Sequence, residues 1–239
     1  MPRQHVRVPI QVKGLLRAIG QLADSHRFRA YVVGGCVRDW LVGVSRTVDL
    51  DITTEGSGVE LAHAVAHVLE GTITRHQQFG TATVLSRHLR IDFASCRRET
   101  YARPAAYPHV TPGTLRDDLF RRDFTINAMA MVIVHDQFGD LIDPFHGAED
   151  LHRKQLRILH ARSFLDDPSR ILRGVRFAQR FGLRWERRTH RALQEAIAAG
   201  ALGWLNRGRL HKELDYMLHE PDPSGCLRSL ASLLVPPAH

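Results

Sequence analysis

Short apolar runs alternate with polar turns along the first half of the chain, at the two periods that separate strands from helices. The stretch AYVVGG, residues 30–35, is a continuous apolar run ending on Gly34 and Gly35, the pattern of a short buried strand. CVRDWLVG follows with helical spacing that Gly43 stops. SGVELAHAVAHVLEG has i, i+3, i+4 apolar spacing, with Ser57 as N-cap and Gly71 as stop. TATVLS and LRIDFAS read as two further strands joined by a turn near Arg87 and His88, and a first helix is expected over about residues 9–25. Residues 100–113 hold Pro104, Pro108 and Pro112 and read as a loop.

VDLDIT, residues 48–53, breaks the apolar rule. Side chains two apart on a strand share a face, so Val48, Leu50 and Ile52 point one way while Asp49 and Asp51 point the other. At about 5 Å and an effective dielectric near 20, two such carboxylates repel by roughly 3 kcal/mol. A positive group is expected between them.

After Asp117 the pattern turns mainly helical, interrupted by a strand at AMVIVHD and a turn at QFGDLIDPFHG, and from Ser163 onward no strand is predicted. Strands with interspersed helices followed by helices alone predict an α/β head with a mixed sheet and a helical annex. The expected division is a head over residues 1–150 and an annex over 151–239. With 239 residues, 44% of them hydrophobic, the chain has enough apolar material for this arrangement. No run of 18 apolar residues suggests a membrane span. The basic first 23 residues fit an ordinary helix better than an organelle leader.

Charge points to a polyanion. The formal net charge is +8, and of 33 basic residues only Lys13, Lys154 and Lys212 are lysine. Residues 151–212 hold 15 Lys and Arg against four acids, a local +11. Arginine supplies planar donors suited to phosphates and base edges. Cys36, Cys96 and Cys226 are too dispersed for a disulfide framework or a metal knuckle, which fits the cytoplasm.

A glycine pair between strand and helix lets backbone N–H groups approach a phosphate. Arg38 and Asp39 lie on the first turn of that helix, and the Asp49/Asp51 pair follows ten residues later. Nucleotidyl transfer uses two Mg²⁺ ions about 3.5 to 4 Å apart, which two carboxylates on one strand face can bridge. Asp92, in RIDFAS, alternates correctly to complete the catalytic set, or else to pair with an arginine.

These residues carry a family resemblance. VVGGCVRDWLVGVSRTVDLDITT resembles the signature of the class II template-independent nucleotidyltransferases, which comprise bacterial poly(A) polymerases and the tRNA CCA-, CC- and A-adding enzymes. LRDDLFRRDFTINAMA, IDPFHGAEDLHRKQLRIL and FLDDPSRILRGVRFAQRFGL resemble three later motifs in the family's order, with a fainter echo at RGRLHKELDYML. The resemblance implies a DNA polymerase β-like head followed by a helical neck. It makes Asp49 and Asp51 the metal ligands and brings Gly34, Gly35, Arg38 and Arg122 to the nucleotide. Asp123 and Asn127 would shape the ribose pocket from one helical face at i, i+4; as an alternative, Asp123 is a helix N-terminal acid.

In the family the neck helix selects CTP and ATP, and the matching residues are Asp167 and Arg170, with Arg173 and Arg176 at the same interval. Steps of three form a ridge that brings Asp167 and Arg170 to one ligand. A carboxylate accepts and a guanidinium donates, which suits the amino group and ring nitrogen that cytosine and adenine present and opposes uracil and guanine. The bland alternative is an Arg-rich helix with a solvated face. One departure is Asp166, where the family usually has Glu; the shorter acid is expected to orient Arg170 across one turn.

The implied activity is addition of C and/or A from CTP or ATP to a tRNA 3′ end, with release of pyrophosphate and two Mg²⁺ ions as cofactor. No protein partner is implied. The alternatives are a poly(A) polymerase acting on general RNA and an inactive RNA-binding module of the same fold. Family members generally continue into further helical regions, so this sequence is either a compact member or a portion of a longer one. His63 and His67 are i, i+4 but lack a third ligand and read as a solvated helix face; Phe177, Phe181 and Trp185 read as core.

Overall fold

The computed structural model describes residues 4–45, 49–76, 80–86 and 89–235. Val48 and the expected turn at Arg87 and His88 lie outside the described residues.

The chain opens with α1 (Ile10–Ser25), β1 (Ala30–Val33), α2 (Gly35–Leu41), β2 (Asp49–Thr54) and α3 (Gly58–Val68), then β3 (Thr72–His76), β4 (Thr81–Ser86) and β5 (Leu89–Ser95). A short strand pair, β6 (Arg97–Thr100) and β7 (His109–Pro112), comes next, followed by α4 (Leu115–Phe120), β8 (Ala130–Val132), β9 (Leu141–Ile142) and α5 (Gly147–His152). The remainder is β10 (Gln155–Leu156), α6 (Ser163–Asp166), α7 (Ser169–Phe181), β11 (Arg184–Trp185), α8 (Arg187–Ala198), α9 (Arg207–Leu218) and α10 (Pro223–Leu234).

Two compact units result. The first comprises residues 1–99, 110–122 and 127–148, and the second residues 100–109, 123–126 and 149–239. Relative to a single cut at 150, the segments 100–109 and 123–126 group with the later helices.

The first unit is built on a seven-stranded mixed sheet, ordered β3-β4-β5-β2-β1-β8-β9, in which β2 and β5 run parallel and the other pairs antiparallel. Leu50 and Ile52 of β2 are buried with Ile91 and Phe93 of β5, and α1 and α3 contribute Leu16, Ile19, Leu61 and Val65 to the same core. That burial holds the alternation of β2 in register: a one-residue slip would exchange Leu50 for the acids. Asp49 and Asp51 therefore stand on the other face, both exposed.

Local chemistry explains most ends. Ser57 caps α3 by accepting from the Glu60 amide at 3.2 Å. The α3 stop differs from expectation: Glu70 takes the left-handed turn at φ 48°, and Gly71 is needed instead because a Cβ there would lie 2.9 Å from the Leu85 carbonyl oxygen. Strand β3 had no clear sequence signal, since its burial is largely exposed and it pairs only at the sheet edge with β4. The expected loop over 100–113 contains the last residue of β6 and all of β7, and the two-residue β11 pairs with β10 after the point where no strand was predicted. Both are too short for periodicity to reveal.

The second unit is helical. Phe124, Phe164, Phe177 and Trp185 pack ring to ring with centroids 6.0 to 6.4 Å apart; Phe177 is core as predicted, while Trp185 and Phe181 are partly buried, Trp185 against the core and Phe181 against Phe177. Gly174 makes room for that cluster: a Cβ there would meet Trp185 at 2.3 Å. Among the described residues no helix is long and apolar enough to cross a membrane.

Candidate active site

The site in the first unit begins at the β1–α2 turn. Gly34 adopts φ 74° and ψ −128°, a region open to glycine, and serves as the N-cap of α2. A Cβ on Gly34 would lie 2.7 Å from Arg122 Nη1, so the glycine is required twice, for its backbone angle and for the guanidinium that crosses it. Gly35 lies beside Arg38, whose Nη2 would be 3.6 Å from an added Cβ.

Beside this turn stand the β2 acids. Asp51 is the Cα partner of Asp92 across the parallel β2–β5 pair. The Asp51 carboxyl is raised above its ordinary value, first by desolvation and then by repulsion from Asp92 and Asp49, with Arg122 the main influence in the other direction. Its side chain keeps solvent-accessible surface, so the desolvation reflects dense protein on its flanks rather than enclosure. Cys36 feels the same field: burial first, then Asp51, pushes its thiol up to about 12.

Asp92 is differently placed. Thr83 Oγ1 donates to its Oδ1, while Arg90 Nε and Nη2 donate to its two oxygens at 3.0 and 3.2 Å. The alternative expectation for Asp92, pairing with an arginine, is met by Arg90 on its own strand, with Thr83 across it.

The donor set fits a hard divalent cation. Among the described residues no three His, Cys, Asp or Glu side chains form a closed metal cage. Mg²⁺ uses few protein ligands, typically one or two carboxylates, and completes its shell with water and substrate phosphate. The aligned Asp49 and Asp51 offer that chemistry, and a bound cation would offset the part of the Asp51 shift that comes from Asp92 and Asp49, desolvation being the larger part.

Arg38 is buried, 4% exposed. Its Nε donates to Asp39 Oδ1 at 2.9 Å and its Nη1 to Asn127 Oδ1 at 2.5 Å. The structure thus joins Arg38 and Asn127, residues 89 positions apart. The helical face expected for Asp123 and Asn127 does not exist. Helix α4 ends at Phe120, Asn127 closes a 3₁₀ turn over Thr125–Asn127, and Asp123 belongs to the second unit. Past the end of α4, Phe124 is wholly buried and bridges to Ile158.

In the second unit, Asp123 accepts from Arg173 Nε at 2.9 Å and Nη2 at 2.6 Å through one carboxylate oxygen, and from the Phe124 amide through the other. Arg173 also reaches Glu213 at 3.5 Å. Burial opposes the Arg173 charge, but Asp123 and Glu213 outweigh it and raise its pKa. Arg176 continues the alternation, pairing with Glu213 and Glu220, and lies over the Phe177 and Tyr216 rings. Arg173 and Arg176, expected at the nucleotide, are both engaged in joining α7 to α9 and the turn after it.

Asp167 and Arg170 do not share a helical ridge. Helix α7 starts at Ser169, and Asp167 is extended, at φ −138°, closing α6. Its carboxylate accepts from the Ser169 amide at 3.1 Å, from Ser169 Oγ at 2.6 Å and from Arg209 Nη2. Arg170 is buried, with Nη1 donating to Ser163 Oγ at 2.6 Å. Asp166 pairs with Arg162 at 3.5 Å and approaches His160 at 3.9 Å.

Several supporting residues escaped the sequence reading: Asp118, which holds Arg121 and Arg122; Arg209, on Asp167; and Glu213, on Arg173 and Arg176. Only Asp118 carried a local signal, an acid four residues before Arg122 at helical spacing.

Residues 30–157 match the model of the poly A polymerase head domain. The chain is 43% identical over 225 residues to the A-adding tRNA nucleotidyltransferase of Halalkalibacterium halodurans, covering 92% of this chain and 52% of that protein. It is 46% identical over 192 residues to the A-adding tRNA nucleotidyltransferase of Aquifex aeolicus, covering 80% of this chain and 23% of that protein. The solved structure of a CCA-adding enzyme in its apo form II superposes with a TM-score of 0.89 at 41% identity, over 95% of this chain and 54% of that one. The chain spans about half or less of the length of these relatives.

Proposed function

This chain belongs to the class II tRNA nucleotidyltransferase and poly(A) polymerase family, and on that premise we propose that it adds AMP from ATP to the 3′ end of tRNA. The observation that carries the reading is the Asp49/Asp51 pair beside a glycine turn crossed by Arg122. The A-adding form is favoured over CC addition because both relatives above bear that name. Three free cysteines are consistent with a cytoplasmic setting.

In the proposed reaction the tRNA 3′ oxygen bonds to the α-phosphorus, the α–β phosphoanhydride bond breaks, the hydroxyl proton passes to solvent, and pyrophosphate leaves. Asp49 and Asp51 would hold two Mg²⁺ ions, which when bound lower the hydroxyl pKa and neutralise triphosphate charge. The Gly34–Gly35 turn and Arg122 receive the triphosphate. Arg38 acts by fixing the Asn127 side chain. Asp92, fixed by Thr83 and Arg90, completes the acidic face.

Asp167 and Arg170 are the base readers. An acceptor and a donor together match the amino group and ring nitrogen of adenine or cytosine, whereas uracil and guanine leave both unpaired, at roughly 1 to 3 kcal/mol for each buried group. Arg209 and Ser169 hold the acceptor, and Ser163 holds the donor. Asp123, Arg173 and Arg176 support this helix through their ion pairs.

The test mixes purified protein and Mg²⁺ with each single NTP and tRNAs ending at the discriminator base, at C or at CC. Extension by one A only from the CC end supports the proposal. C addition would reassign the protein to CC or CCA synthesis, and long ATP-dependent ladders on unrelated RNA to poly(A) synthesis. No extension would leave an RNA-binding module.

A further inference from the structure

We infer that Asp118 is a positioning residue for nucleotide binding, anchoring Arg122 across the Gly34 turn so that the guanidinium meets the incoming triphosphate. The inference rests on the nucleotidyl-transfer reading and deepens it by naming the group that aims its phosphate-binding arginine.

Asp118 lies on α4 with no exposed surface. A carboxylate there is costly unless paired, and its two oxygens divide between two arginines. Oδ1 accepts from Arg121 Nε at 3.0 Å and Nη2 at 2.8 Å, and Oδ2 accepts from Arg122 Nη2 at 3.3 Å. Arg121 is itself held by Glu99 at 3.4 Å, and Glu99 by Arg97 at 2.7 Å. The result is a chain of alternating charges, Arg97, Glu99, Arg121, Asp118 and Arg122, whose last member stands over the turn.

Two features set that last member apart. Arg122 Nη1 occupies the space above Gly34, and Arg122 Nε is buried with no hydrogen-bond partner among the described residues. A guanidinium tied through Nη2 while Nε has no partner keeps donor capacity for a further anion. Held this way, Arg122 loses little side-chain freedom when phosphate arrives, which is the usual gain from preorganisation.

The experiment measures equilibrium binding of ATP and of adenosine to the full chain without RNA. For Asp118→Asn, ATP affinity is expected to fall about tenfold, the scale of one lost charge-assisted hydrogen bond, while adenosine affinity is unchanged. In an Arg122→Gln background the same substitution is expected to have no further effect, since Asp118 acts through Arg122. Should Asp118→Asn fail to fold, Asp118→Glu keeps the buried charge but displaces the guanidinium, and the ratio of ATP to adenosine affinity is again expected to fall. An unchanged ratio in a folded variant, or effects that add in the double variant, would overturn the inference. If the unaltered protein itself binds ATP no better than adenosine, the nucleotidyl-transfer reading fails instead.

Discussion

Asp51 and Asp92 are paired across two parallel strands, yet only Asp92 is neutralised by its neighbours. Among the described residues no side chain hydrogen-bonds to the Asp51 carboxylate, whose pKa is raised by desolvation and by the acids beside it. Asp51→Asn is therefore expected to raise the melting temperature of the metal-free protein while abolishing nucleotide addition. Because Asp51 keeps solvent exposure the relief is screened, and the expected rise is small, a few degrees at most. Thermal melts with and without Mg²⁺ check this: the variant should also lose any stabilisation by the ion, and a lower melting temperature would show that Asp51 is structural.

Gly34→Ala meets both a glycine-only backbone region and the Arg122 guanidinium. The backbone alone costs roughly 1 to 3 kcal/mol. Gly43 provides the control, since it also has positive φ, 81°, but open space around an added Cβ. Gly43→Ala should lose only about 1 kcal/mol in urea unfolding and keep ATP binding, while Gly34→Ala loses both stability and binding.

Removing the arginine of the Asp123–Arg173 fork leaves a carboxylate of 7% exposure without its main partner. Arg173→Ala is expected to cost about 2 to 4 kcal/mol, tempered because part of the Arg173 side chain reaches water. Adding Asp123→Asn should restore part of the loss. Urea titrations of the single and double variants measure that coupling; strict additivity would mean the pair contributes nothing.

Asp117 caps α4 by accepting from the Thr114 amide and is paired with Arg98, which together with the cap lowers its pKa to about 2. A depressed folded-state value means the stabilisation is complete above the unfolded pKa, near 4, and is lost as pH falls toward 2. Asp117→Asn should therefore be less stable than the unaltered protein at pH 6, with the difference shrinking between pH 4 and pH 2. The size is small because the pair is solvent-screened. A difference constant over that window would assign the effect to something other than the carboxylate charge.

Arg209 and Asp167 are 42 positions apart and joined by a hydrogen bond. Asp167→Ala should weaken discrimination against UTP and GTP more than it changes the Mg²⁺ requirement, and Arg209→Ala should do the same more weakly by releasing the carboxylate. Single-nucleotide incorporation at graded Mg²⁺ separates the two effects. Nucleotide preference unchanged in both variants would rule out base choice by Asp167.

What the amino-acid order determined by itself was whatever depends on neighbours within a few residues. The alternation around Asp49 and Asp51, the buried run into Gly34, the Ser57 cap and the aromatic spacing from Phe177 to Trp185 all follow from the period of a strand or a helix, and all have counterparts in the fold. Tertiary structure alone decided which charges meet. Asp123 and Asn127, four apart at helical spacing, do not share a helix because α4 ends at Phe120, before either of them. Asp123 then pairs with Arg173, 50 residues away, and Asn127 with Arg38, 89 residues away. The physical reason is one of scale. A local i, i+4 contact is worth only a few tenths of a kcal/mol, whereas burying an aromatic ring or leaving a buried charge unpaired involves several times more, so packing selects partners that local spacing cannot reveal.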